Sequence, residues 1–211
     1  MKTLSNHLPC DEFEFAHLRL LKSFIMKYNT DPFSRHPDQD GSITASAVVV
    51  NETFSKILLM HHKIHNFYKQ CGGHADGNPD LGQVALNELK EEAGLFGNLL
   101  SPNPIDVVVW RFPAHQRNGK LIPEHNIYDV GYLIQASENA PLNLSKREGV
   151  DLKWMPLGDW HDMVFDDNNP VVRNNPHNPI YNQRICKKIN AFHMHRNGHR
   201  RSFRQLYADR G

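Results

Sequence analysis

Residues 72–95 run Gly72-Gly73-His74-Ala75-Asp76-Gly77-Asn78-Pro79-Asp80, then Leu81-Gly82-Gln83-Val84-Ala85-Leu86-Asn87-Glu88-Leu89-Lys90-Glu91-Glu92-Ala93-Gly94-Leu95. The first run is a glycine-rich loop and the second a short helix. Asp80 is placed to cap that helix, with Gln83 three residues on completing a capping box. The alternative is Asn78 as cap with Pro79 at the first helical position, where proline is tolerated. Gly94 predicts the stop, because glycine turns left-handed at little cost after the last helical residue.

The acids make this stretch more than a helix. At about 100° per residue, Leu81, Ala85, Glu88 and Glu92 fall on one stripe, with Glu91 on the neighbouring line. A solvated acidic face would lie opposite the apolar one. Here the acids continue it, so they point inward or into a cleft. Carboxylates packed together repel and take up protons unless a cation sits among them. All-oxygen donors favour a hard ion, Mg²⁺ or Mn²⁺, over zinc.

The stretch resembles the signature of the Nudix hydrolases, Gly-x5-Glu-x7-Arg-Glu-U-x-Glu-Glu-x-Gly-U, with U a bulky aliphatic. Gly73 stands as the opening glycine, Glu88-Leu89 as the Glu-U pair and Glu91 to Leu95 as the closing five. Pro79 replaces the first Glu and Asn87 the Arg. In the family those two charges support the loop and helix, so their loss here is paired, and all three later acids remain. The flanking runs 43–50, 56–62, 125–132 and 151–157 resemble the strands around the signature, so the likeness covers roughly residues 40 to 165.

The resemblance implies an α/β fold, an α/β/α sandwich around a central mixed β-sheet. It divides the chain into a helix and loop over 1–41, the Nudix domain over 42–165, and a loop, helix and basic tail over 166–211 within the same domain. It implies metal-dependent hydrolysis of a phosphoanhydride in a nucleoside diphosphate linked to another moiety, with Mg²⁺ or Mn²⁺ as cofactor. Carried over by position, Gly73, Glu88, Glu91 and Glu92 are the metal ligands, and Glu91 or Glu92 is catalytic. Many members bring a further acid from a loop outside the signature. Glu148 is the candidate for it and Glu124 the runner-up. Two other readings stay open: a nucleotide-binding module without catalysis, motivated by Pro79 and Asn87, and RNA-end binding through the basic tail. Such proteins are often homodimers.

Composition narrows the setting. The 211 residues carry 24 Lys and Arg against 23 Asp and Glu, a net charge of +1, so no global field draws the chain to nucleic acid or membrane. No run approaches the ~18 apolar residues of a membrane helix, and Asp11, Glu12 and Glu14 interrupt any signal-like start. Cys10, Cys71 and Cys186 are odd in number and not spaced for zinc, which predicts a reducing, cytoplasmic setting. Cys71 beside the Gly-Gly entry reads as a small packing residue.

Along the chain, Phe13, Leu18, Leu21, Phe24, Ile25 and Tyr28 predict an amphipathic helix. Residues 29–41 form a loop in which Arg35 and His36 are either solvated or contacts to a substrate phosphate. Residues 42–51 and 56–62 predict a hairpin, with His61, His62, Lys63 and His65 leading toward the glycine-rich loop. Residues 105–112 read as a buried strand, Asn118-Gly119 as a hairpin turn, and 126–136 as the next strand. In that strand His125, Tyr128 and Asp129 form either a line into the cleft or an internal hydrogen-bond network. Arg35, His62 and Tyr128 are the candidate substrate contacts. Residues 165–179, rich in Asn and Pro, predict an irregular loop suited to a lid, followed by a helix with Ile185, Ile189 and Phe192 on its buried side.

Overall fold

The computed structural model describes residues 4, 7–63, 66–117, 119–164, 168–175 and 178–196. His65 and the basic stretch from Asn197 onward lie outside them. Helix α1 (Glu12–Lys27) leads into β1 (Gly41–Val50), β2 (Lys56–His62), β3 (Tyr68–Lys69) and β4 (Cys71–His74). Then come α2 (Leu81–Ala93), β5 (Asn98–Leu99), β6 (Asp106–Phe112), the small hairpin β7 (His115–Arg117) and β8 (Lys120–Ile122), and β9 (His125–Gln135). Strand β10 (Gly149–Pro156) and helices α3 (Leu157–His161), α4 (Pro170–Arg173) and α5 (Asn178–Arg196) complete the order.

The main sheet runs β10-β2-β1-β9-β5, with β3 beside β2, β4 beside β1 and β6 beside β9. It is mixed, as expected. Strand β1 lies parallel to β9 from Gly41–Asn126 to Val50–Gln135, while β9 pairs antiparallel with β6. Strand β1 is buried along nearly its whole length, as a central strand covered on both faces must be. Alternate residues divide between two cores. Ala45, Ala47 and Val49 pack with Leu81, Val84, Ala85 and Leu89 of α2 and with Leu21 and Phe24 of α1. Val48 and Val50 pack on the other side with Trp160, Ile185 and Ile189.

Two expectations are corrected. The hairpin of β1 and β2 is short, since the strands pair only at Val50 and Ile57. Beyond that point they splay, and β4 takes the edge of β1 through Thr44–His74 to Ala47–Cys71. The splay brings the glycine-rich loop beside the central strand. The stretch 165–179 is also not irregular throughout: Asn169 caps the helical turn α4 by accepting the Val171 N–H at 3.0 Å, with Pro170 at its start. Asn175 then accepts the Arg111 N–H (2.8 Å) and donates to the Arg111 carbonyl (3.0 Å), which ties this segment to the end of β6.

The outer helices are joined by buried charges. Lys188 on α5 donates to Glu14 on α1 (2.5 Å), to Asp106 at the start of β6 (2.6 Å) and to the Ile105 carbonyl (2.7 Å). Arg184, one turn earlier, forks onto Asp106 with two 2.9 Å bonds. Both ring nitrogens of His7 lie on acceptors, the Pro104 carbonyl at 3.1 Å and Glu14 at 2.7 Å. Burial alone would raise the Glu14 carboxyl, but the hydrogen bonds and charges of His7 and Lys188 outweigh it and hold it well below the usual range. Removing one member of such a buried set strands the rest. Lys188→Met is therefore expected to lower the unfolding free energy by about 3–5 kcal/mol, read from urea melts. Adding Glu14→Leu is expected to recover part of that loss.

Candidate active site

Helix α2 forms where the sequence places it. Asp80 accepts the Gln83 N–H at 3.1 Å as N-cap, and Gly94 ends the helix at φ 66°. The return leg of a capping box is replaced: Gln83 donates its side-chain amide to Asn87 (2.9 Å), and Asn78 takes the Asp80 N–H (2.9 Å). The preceding loop is pinned by the Ala75 N–H on the Ile43 carbonyl and the Gly77 N–H on the Phe33 carbonyl, both at 3.0 Å. Arg35 forks onto Asp76 in the same loop, at 2.6 and 2.8 Å.

The stripe of α2 is buried as predicted. Leu81, Ala85 and Glu92 are inside, Glu88 is half-buried and Glu91 is exposed. Gly73 faces Glu88 so closely that a Cβ there would push the carboxylate out of its present place. Glu92 accepts the Gly72 N–H on Oε2 at 2.8 Å, and its buried Oε1 has no hydrogen-bond partner. The loop before β10 closes over the end of the helix, with the Asn143 N–H on the Ala93 carbonyl (2.8 Å) and the Ser145 N–H on the Glu92 carbonyl (2.9 Å).

That loop carries Glu148, whose charge acts on both Glu88 and Glu92. Burial, then the charges of Glu91 and Glu148, push Glu88 up to about 7. Burial foremost raises Glu92 to about 8, with Glu88 and Glu148 adding to it and Lys69 and the Gly72 N–H opposing. The chain has gathered carboxylates that resist ionising together. Cys71, beneath Glu92, has its thiol pushed well up by burial and by that carboxylate, so it is a packing residue.

The other expected site residues divide. His62, two residues beyond Met60 on the α2 side of β2, is buried and lowered to about 4 by burial and by the charges of Lys69 and His61. It is neutral at pH 7. Arg35 sits at the outer end of the loop on Asp76. Tyr128 is buried against Phe24, ring centroids 4.4 Å apart. Asp129 belongs to an internal network, accepting from Thr44 (2.7 Å) and Ser46 (2.7 and 2.9 Å) on the α5 side of the sheet. Glu124 pairs loosely with Arg111 at 4.0 Å, both exposed. Sequence reasoning missed Lys69, whose charge acts on both acids. The alternation Lys69, Cys71, Gly73 along an extended run was the signal that would have found it.

Among the described residues, no three His, Cys, Asp or Glu side chains stand gathered as a finished metal cage. A cavity of about 300 Å³ lined by Phe54, Leu157, His161, Cys186 and Asn190 lies on the α5 side and contains none of the acids.

The family model for the NUDIX domain matches residues 42–174. The chain belongs to the Nudix family. Among solved structures it is similar to a Nudix-family hydrolase from Clostridium perfringens, with 22% identity over 66% of this chain and 97% of that one and a TM-score of 0.47. It is also similar to a C. elegans Ap4A hydrolase, with 18% identity, 72% and 96% coverage and a TM-score of 0.45. An ADP-ribose pyrophosphatase from Streptococcus suis gives 18%, 71% and 90%, and 0.43. No curated protein matches.

The raised carboxyls set a pH dependence. An acid whose folded pKa lies above its unfolded value contributes stability below the unfolded pKa and loses it as pH rises through the folded one. Without metal, the melting temperature is expected to fall as pH climbs from about 5 to about 9, most steeply across the range of Glu88 and Glu92. Calorimetric scans at several pH values would read this, and the pair Glu88→Gln, Glu92→Gln is expected to flatten the curve.

Proposed function

We propose that this Nudix protein hydrolyses a phosphoanhydride in a nucleoside diphosphate linked to another moiety, using Mg²⁺ or Mn²⁺. The observation that carries the reading is the Glu92 carboxylate, buried, raised and left with one unpartnered oxygen beside Glu88. A buried acid without a partner is costly, and a divalent cation removes that cost. The donor set fits a hard ion: Glu88, Glu92 and the Gly73 carbonyl, with Glu91 from the solvent side. When bound, such an ion neutralises the diphosphate and acts as a Lewis acid on it.

The chain's own groups supply the rest. Glu148 is the general base in this reading, accepting a proton from the water that attacks phosphorus. Its influence on both Glu88 and Glu92 supports that place. Attack breaks one P–O bond of the anhydride, and the products are a nucleoside monophosphate and a phosphorylated remainder. His62, neutral and on the α2 side, suits a hydrogen bond to substrate. Arg35 has two donors committed to Asp76, so we assign it to bracing the loop. That brace, with the Gln83–Asn87 bond, stands in for the charge pair missing at Pro79 and Asn87 and favours catalysis over a binding-only module. Tyr128 we assign to packing beneath Phe24. Three free thiols, two of them buried, support a reducing, cytoplasmic setting.

The test is a panel of nucleoside diphosphate derivatives with Mg²⁺ or Mn²⁺ and product identification. Glu92→Gln is expected to cut turnover at least about a hundredfold with the circular dichroism spectrum unchanged. Binding without turnover on every compound would replace the enzyme reading with a sensor.

A further inference from the structure

The residue that stands out beside the acids lies outside the signature. Lys69 ends β3, two residues before Cys71 and four before Gly73. Side chains alternate along an extended chain. Cys71 is buried in the core beneath α2, and Gly73 faces Glu88. Gln70, between Lys69 and Cys71, is buried and acts on Tyr181 of the α5-side core. Directly opposed residues of a ladder share a face, and the partner of Lys69 is Met60, a member of the α2-side core. Both lines put Lys69 on the side of Glu88 and Glu92.

Lys69 is half-buried. Among the described residues it forms no ion pair within 4.0 Å, while the buried cations Arg184 and Lys188 are fully engaged. Its charge nevertheless acts on Glu88, Glu92 and Cys71. The chain has stationed an ammonium close enough to influence the acids without closing a salt bridge to any of them. Such a group has donors to spare for a further anion, and phosphate oxygens form short, charge-assisted bonds with ammonium groups.

We propose that Lys69 binds the diphosphate of the substrate, donating to phosphate oxygens beside the carboxylates of Glu88 and Glu92. This rests on the hydrolase reading above and adds the residue that holds the anion. It also predicts opposite effects on two ligands. A cation near the acids opposes a metal ion that arrives alone and attracts an anion that arrives with it.

The test uses the full chain, with Lys69→Met and Lys69→Arg beside the parent and thermal melts as the check on folding. Mn²⁺ alone is titrated by electron paramagnetic resonance, and methylenediphosphonate, a non-hydrolysable diphosphate, is titrated by calorimetry in saturating Mg²⁺. Lys69→Met is expected to bind Mn²⁺ as tightly as the parent or more so, and to bind the diphosphonate about tenfold or more weakly. Lys69→Arg, which keeps the charge, is expected to stay within about threefold of the parent for the diphosphonate. Diphosphonate affinity unchanged in Lys69→Met overturns the proposal. So does a parallel loss of both ligands, which marks a structural role. Turnover of the parent is scored separately. If it hydrolyses nothing yet needs Lys69 for the diphosphonate, the hydrolase reading fails and this one stands. If it hydrolyses substrates and Lys69→Met binds normally, the reverse holds.

Discussion

The burial of Glu88 and Glu92 at the end of α2, among other acids, is the constraint around which the rest of the site is arranged. A helix would ordinarily turn two such groups to water. Here the stripe that carries them also carries Leu81 and Ala85, and burying those drags the acids in after them. Gly73 leaves the space that Glu88 occupies, the Gly72 amide steadies one oxygen of Glu92, and the loop before β10 closes from above. Each of these contacts holds the acids in place, and none of them neutralises the pair. The energy stored in that arrangement is what an arriving divalent ion would release.

The same chain solves the opposite problem at the other end of the sheet. Around Asp106 the charges are matched, with Lys188 and Arg184 facing Asp106 and Glu14 and with His7 sharing one Glu14 oxygen with Lys188. One cluster is closed and the other left open, within a single fold. An enzyme site needs the open kind, because groups already satisfied by their neighbours have nothing left for a ligand.

Most of the fold was legible because it rests on local patterns. The capped helix 81–93, its glycine stop, the central strand and the amphipathic α1 follow from periodicity and turn chemistry. The acids were legible for the same reason: a stripe apolar at one end and acidic at the other has only one sensible orientation. What stayed hidden depends on pairings between distant residues. Nothing in residues 56–62 announces that β4 will displace β2 from the edge of β1. Arg184 and Lys188 sit one turn apart beside Ile185 and Ile189, which hints at buried cations, but their acids lie 78 and 174 positions away. Asn169-Pro170 was a readable helix start, lost among the surrounding asparagines.

The buried charges also bear on where this protein can be cut. The segment matched by the family model opens after α1 and closes before α5. Excising it would leave Asp106 inside the sheet's edge with neither of its cations and strip both cores of a covering helix. Among the described residues, α1 and α5 act as two hands of one clasp, closed where Lys188 bridges Glu14 and Asp106.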